Sequence, residues 1–186
     1  MDQSIVSVFL GLGLSAATGF RVFVPLLVIN LASRGGFLEL SSRFGWMASS
    51  EALVAFSAAT VLEVIAYYVP WLDNLLDTVA TPAAVVAGMV ATASVVTGMD
   101  PVLRVILAII AGGGMAGAVQ MTTAGGRQIS SVATAGLGNP ILSTFELAGS
   151  LGLSLLSVLT PVIAGLLVLL TLILVMRKFR RWRDTS

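Results

Sequence analysis

The chain has 186 residues, of which 57% are hydrophobic and only 10% charged, with a formal net charge of +1 and a mean hydropathy of +1.01. Soluble domains carry about a quarter charged residues, so this composition fits a bilayer, where every lipid-facing position is apolar. Cysteine and histidine are both absent. That excludes disulfides and thiol chemistry and removes the commonest zinc and copper ligands, so neither a metal nor a cofactor is expected. No basic, aromatic-interleaved stretch suggests nucleic acid.

A membrane span takes about 20 mostly apolar residues. The first such run covers residues 5–33 and is interrupted by Arg21. Residues 1–4 lack the basic n-region of a secretory signal, so this run is expected to be retained as a span. Further runs cover 52–69, interrupted by Glu63, then 82–98 and 102–124. Residues 128–150 follow, holding Glu146, and a charge-free run at 147–176 contains Pro161. The expected fold class is an all-α, polytopic helical membrane protein of five to six spans with broken or re-entrant segments. Five spans plus a re-entrant or broken segment at 128–150 are preferred, because Thr160-Pro161 leaves a very tight hairpin for two separate spans. Residues 1–176 would form one transmembrane domain and 177–186 a basic tail.

Boundary residues carry their own signals. Ser49 and Ser50 before Glu51 read as an N-cap with an acid in the first turn. Pro82 reads as a first-turn proline, and Asp100-Pro101 as a tight turn. Trp46, Trp71 and Trp182 fall at span ends, as an aromatic belt requires. Arg177, Lys178, Arg180, Arg181 and Arg183 mark the tail as cytoplasmic. With five spans the N-terminus lies outside. The loop 34–43, with Arg34 and Arg43, then joins the tail inside, while Asp73 and Asp77 lie outside. Six spans would place the N-terminus inside.

Two segments look alike: Ser15-Ala-Ala-Thr-Gly-Phe-Arg-Val-Phe-Val-Pro25 and Ser131-Val-Ala-Thr-Ala-Gly-Leu-Gly-Asn-Pro140. Each combines small residues, an Ala-Thr pair and glycine ahead of proline, as broken helices in the related halves of small transporters do. Common packing residues of membrane helices would give the same pattern.

Met47-Ala-Ser-Ser50, Glu63, Val69-Pro-Trp-Leu-Asp-Asn-Leu-Leu-Asp77 and Pro82 continue in order to Gly112-Gly-Gly114, Ala124-Gly-Gly-Arg127, Asn139, Glu146 and the basic tail. This series resembles the small bacterial membrane family known as domain of unknown function 4126. The resemblance implies a multi-span bacterial membrane protein and no assigned activity. In that family a His and a Lys often precede the Ala-Gly-Arg segment, whereas Gln120 and Thr123 stand at about those places here.

Ionisable residues at membrane depth cost roughly 2.5–3.5 kcal/mol each and face the bundle interior or a cavity. Arg21 stands more than halfway along the first run, near mid-bilayer at about 1.5 Å per residue. Thr18-Gly19 before it and Pro25 after it loosen the helix there. It reads as a cationic site for an anion, or as one half of an ion pair with Glu63 or Glu146. Glu63, about 18 Å along a helix from Glu51, reads as a proton or cation carrier or as a partner of Arg21 or Arg127. Glu146, with Asn139 and Thr134, would line a polar cavity if 128–150 dips into the membrane, and would otherwise belong to an external loop. The candidate solute-binding residues are therefore Arg21, Glu63, Glu146, Asn139, Thr18 and Thr134. Asp73 and Asp77 read as a solvated interfacial turn. Gly113 with Gly117, and Ala148 with Gly152, make small-xxx-small pairs suited to close crossing or to a homo-oligomer.

No His, no Cys and no Gly-x-Ser-x-Gly elbow is present, so an enzyme is not expected. The preferred function is a transporter or channel-like permease for a small, anionic solute. The alternative is a non-catalytic membrane assembly or lipid-organising module. Expected partners are membrane lipids, the solute and a second copy of the chain. The expected location is the bacterial inner membrane, multi-pass, with the C-terminus cytoplasmic.

Overall fold

The structure, a computed structural model, describes residues 3–69 and 72–184, without the side chains of 72–77 and 179–184. The described residues form α1 (Gln3–Phe20), α2 (Phe23–Arg34), α3 (Ser50–Tyr67), α4 (Leu72–Val95), α5 (Pro101–Leu107), α6 (Gly114–Thr134), α7 (Asn139–Leu159) and α8 (Pro161–Asp184), with no strand among them. One π-helical turn, Ala108–Gly113, joins α5 to α6, so Pro101–Thr134 is a continuous rod. Among the described residues six helical stretches are long and apolar enough to cross a membrane, while α2, with 12 residues, is too short. The architecture is that of a polytopic α-helical membrane protein.

Its polarity runs inside out. Val54, Leu62, Ile110, Val132 and Leu170 are exposed, whereas Ser15, Thr92, Ser94, Ser150, Ser154 and Ser157 are buried. Lipid is as apolar as leucine, so helices associate through close packing of small residues instead. Helix α1 is the hub, packed against α4, α6, α7 and α8. Its Gly13 lies against Ser157 and Ala164, and its Gly19 against Val119 and the Ala116 carbonyl. Gly113 and Gly117 make a crossing surface within the chain, against Val85 and Met89 of α4. Ala148 and Gly152 stay exposed.

The first apolar run is not one span. The amides of Val22 and Phe23 bond to Glu63 late in α3, whereas Asn30 and Arg34 bond to residues 47–50 ahead of it. Ser41 then donates its amide to the Ser94 carbonyl (2.7 Å), and Ser4 bonds to the Gly98 carbonyl nearby. The chain therefore reverses at Arg21–Val22, and α2 returns toward the end of the bundle that holds the N-terminus.

Four expectations are corrected. Residues 128–150 do not re-enter: they divide between the end of α6, a turn at 135–138 and the start of α7. The Thr160-Pro161 hairpin suffices, because Thr160 (φ −141°, ψ 70°) leaves the helix and Pro161 opens α8 at a position that needs no N–H. Pro82 lies inside α4 and not at its start, since Leu72, Leu75, Leu76 and Val79 extend the helical run upstream. Finally, the two basic segments lie at opposite ends. Helix α8 runs parallel to α1, with Ala164 beside Gly13, Val168 packed with Ala16 and Leu172 and Val175 bordering the same cavity as Phe20, so the tail leaves at the end away from loop 34–43. Asp73 and Asp77 fall in the first turns of α4, and their side chains, with those of Arg180, Arg181, Trp182 and Arg183, lie outside those described; Trp71 lies outside the described residues altogether.

The capping signals hold. Ser49 Oγ accepts the Ala52 amide at 3.1 Å, and Asp100 Oδ1 accepts those of Val102 and Leu103 with Pro101 following it. Ser49→Ala should cost about 1 kcal/mol. Faster amide exchange confined to the first turn of α3 would show it, and unchanged exchange there would remove the cap.

Candidate functional site

The site grows out of the break in the first run. Thr18 turns its hydroxyl back to the Ser15 carbonyl (2.7 Å), α1 ends at Phe20, and α2 opens at Phe23 with Pro25 in its first turn. A helix start leaves amides without intrahelical acceptors and carries partial positive charge. Glu63 meets both needs: Oε1 accepts from Val22 at 2.7 Å and Oε2 from Phe23 at 3.0 Å.

Arg21, between the two helices, has a fully buried side chain. Its Nη2 donates to the Ser143 carbonyl at 2.9 Å and to the Ser143 hydroxyl, and lies 3.4 Å from Glu146 Oε2. The same Oε2 pairs with Arg127 Nη1. Tyr67 is shared as well, its ring centroid 3.9 Å from the Arg21 guanidinium carbon and 4.8 Å from that of Arg127. Two buried cations repel one another, and one carboxylate oxygen and one aromatic ring lie against both. Arg21 Nε and Nη1 are buried without a hydrogen-bond acceptor.

Helix α7 supplies the opposite wall. Asn139, Ser143, Glu146, Ser150, Ser154 and Ser157 are all buried and recur every three or four residues, which places them on one face. Ser150 donates to the Ala17 carbonyl at 3.0 Å, docking that face on α1 directly below Arg21.

A family model described as Domain of unknown function (DUF4126) matches residues 8–181. The chain belongs to the DUF4126 family. No curated protein and no solved structure matches it.

Of the residues singled out in sequence, this DUF4126 chain brings Arg21, Glu63 and Glu146 together, and Arg127 joins them. Asn139 is buried at the start of α7, one turn from Ser143, and donates to Ser131 Oγ at 2.8 Å. Thr18 is buried one turn before Arg21 and faces Gly88 of α4. Thr134 stands apart: it is exposed, and its hydroxyl closes the end of α6 by accepting the Gly138 amide (2.9 Å) and donating to the Ser130 carbonyl (2.7 Å). Tyr67 has no signal in the sequence beyond an aromatic at a span end, whereas the α7 stripe is readable from its spacing.

From the contact of Gly13 with Ala164, at about 1.5 Å per residue, Arg21 lies roughly 12 Å along the bundle and Arg177 roughly 20 Å. The cluster therefore lies toward the end of the bundle from which the tail leaves. Both look-alike segments are chain reversals, and both lie at this end.

Proposed function

We propose that this protein is a permease for a small anion, multi-pass in the bacterial inner membrane, with its basic tail in the cytoplasm. The observation that carries the reading is Arg21, whose buried guanidinium leaves Nε and Nη1 without an acceptor beside a second buried arginine. A buried donor without an acceptor costs about 1–3 kcal/mol, more when charged, and an anionic solute would recover that. Arg21 and Arg127 balance Glu63 and Glu146. A bound anion would add one negative charge, and a proton on Glu146 would restore neutrality as the carboxyl gives up its place on the arginines. The solute would cross unchanged, together with a proton. Five basic residues in the tail against Arg34, Arg43 and Arg104 at the other end support the orientation.

Purified protein in liposomes, tested with an inward proton gradient against chloride, fluoride, nitrate, acetate and phosphate, should carry one of these anions with co-movement of protons. Arg21→Ala should reduce that flux at least tenfold, with Arg21→Lys in between. Absence of flux for the whole panel, or full flux in Arg21→Ala, would refute the reading.

One observation favours a second reading, a non-catalytic assembly or lipid-organising module: Glu146 is paired with both arginines inside the chain. The exposed Ala148 and Gly152 face of α7 would then meet another copy. A strictly monomeric protein in mild detergent would count against it.

A further inference from the structure

A cavity of about 300 Å³ opens on the side of the bundle, bordered by α1, α6, α7 and α8. That volume is at the lower end of the roughly 300–1,000 Å³ of ligand pockets. Its floor is Ala16 and Phe20, and its walls include Val119, Leu153, Val168 and Leu172. Its three hydroxyls belong to Thr122, Thr123 and Thr171, and each donates to a carbonyl of its own helix: Ala118 at 2.8 Å, Gln120 at 3.0 Å and Leu167 at 2.8 Å. The hydroxyl donors are thus all engaged and no charged side chain lines the cavity, so no group is left to hold an anion and the cavity is distinct in chemistry from the arginine cluster. It runs from Leu167 to Val175, about 12 Å along α8. Its upper end stops two residues short of the exposed Arg177 and Lys178, where the basic tail begins.

We infer that this cavity holds an acyl chain of an anionic phospholipid, with the lipid's phosphate at Arg177 and Lys178. The pairing of an apolar cavity with Lys178, one turn beyond Val175 on the same face of α8, and with Arg177 beside it selects this occupant. A chain alone would need no cations, and a soluble anion would not enter an apolar slot. Phe20 lines the cavity and directly precedes Arg21, so the bound chain lies against the last residue of α1 before the break.

The test uses the full-length protein in mild detergent with either dioleoyl phosphatidylglycerol or dioleoyl phosphatidylcholine, which share acyl chains and differ in head-group charge. Lipid retained per protein is measured by native mass spectrometry. Phosphatidylglycerol should bind at least tenfold more tightly, since each basic residue near a membrane surface contributes roughly fivefold. Ala118→Trp and Thr171→Trp, at exposed positions of the lining, should each abolish retention of both lipids while leaving the unfolding midpoint unchanged. Arg177→Gln with Lys178→Gln should leave both lipids bound and remove the preference. Equal binding of the two lipids by the unaltered protein overturns the inference. So does retention that a folded Ala118→Trp or Thr171→Trp variant leaves intact.

Discussion

Glu146→Ala should be the most destabilising single substitution in the cluster, lowering unfolding free energy by about 3–5 kcal/mol, the usual cost of removing one partner from a buried ion pair. The reason is that one carboxylate oxygen serves two guanidiniums. Without it Arg21 keeps Ser143 and the Tyr67 ring, and two cations close to one ring face each other with no carboxylate between them. Arg127→Met should cost less, because Glu146 then still pairs with Arg21. Glu146→Gln keeps an acceptor without the charge and should fall between. The ordering is the sharper part of the prediction, and denaturant titration of the three variants in detergent measures it. Arg127→Met as damaging as Glu146→Ala would mean that the carboxylate is not shared. A double-mutant cycle of Arg127→Gln with Glu146→Gln should give a coupling above about 1 kcal/mol, within the range for contacting pairs. Additivity within about 0.5 kcal/mol would remove the pair.

The same carboxylate shows where the sequence was readable. Glu146, Arg21 and Glu63 stand out because a charge amid apolar residues has few places to go, and the structure gathers them. What they do there is set by the reversal at Arg21: Thr18-Gly19 and Pro25 mark a break there, but not that the chain turns back. A run of 29 residues from 5 to 33 reads as one tilted span by length, and the bonds of α2 to residues 47–50, and of the Ser41 amide to the Ser94 carbonyl, reveal the return. Once α2 turns back, loop 34–43 moves to the N-terminal end. The charge rule puts loop 34–43 on the same side as the tail, and the reversal separates them. Thr134 misleads for a related reason: Ala135, at φ 52°, and Gly136, at φ 83°, end α6, so the small polar residues before them close a helix and do not line a cavity. Pro82 is a case of tertiary packing overriding a local signal, since a proline inside a span is tolerated where neighbouring helices re-satisfy the freed carbonyl.

Gly88→Ala should lower stability by about 3 kcal/mol, at the upper end of what overpacking costs, even though alanine is the better helix former by about 1 kcal/mol. A Cβ at Gly88 would lie 2.5 Å from the Ala116 Cβ and 2.6 Å from the Gly112 carbonyl oxygen. Neither atom is the end of a flexible side chain. The contact is reciprocal, for a Cβ at Gly112 would come 2.7 Å from the Gly88 carbonyl. Helices α4 and α5–α6 therefore cross backbone to backbone, and the π-helical turn at Ala108–Gly113 widens the second helix where they meet. To admit a methyl group the rod must move as a body, because interiors at native density repack only partially. That rod carries Arg127, which must still reach Glu146 on α7, so the strain reaches the charged cluster from the far side of α6. Gly152→Ala is the control: its Cβ would meet nothing, and it should be neutral or stabilising by up to about 1 kcal/mol. Unfolding midpoints of the two variants decide the matter. Equal midpoints would dissolve the crossing, whereas a loss at Gly88 that Arg127→Met partly relieves would show that the crossing holds α6 in register for the arginine pair.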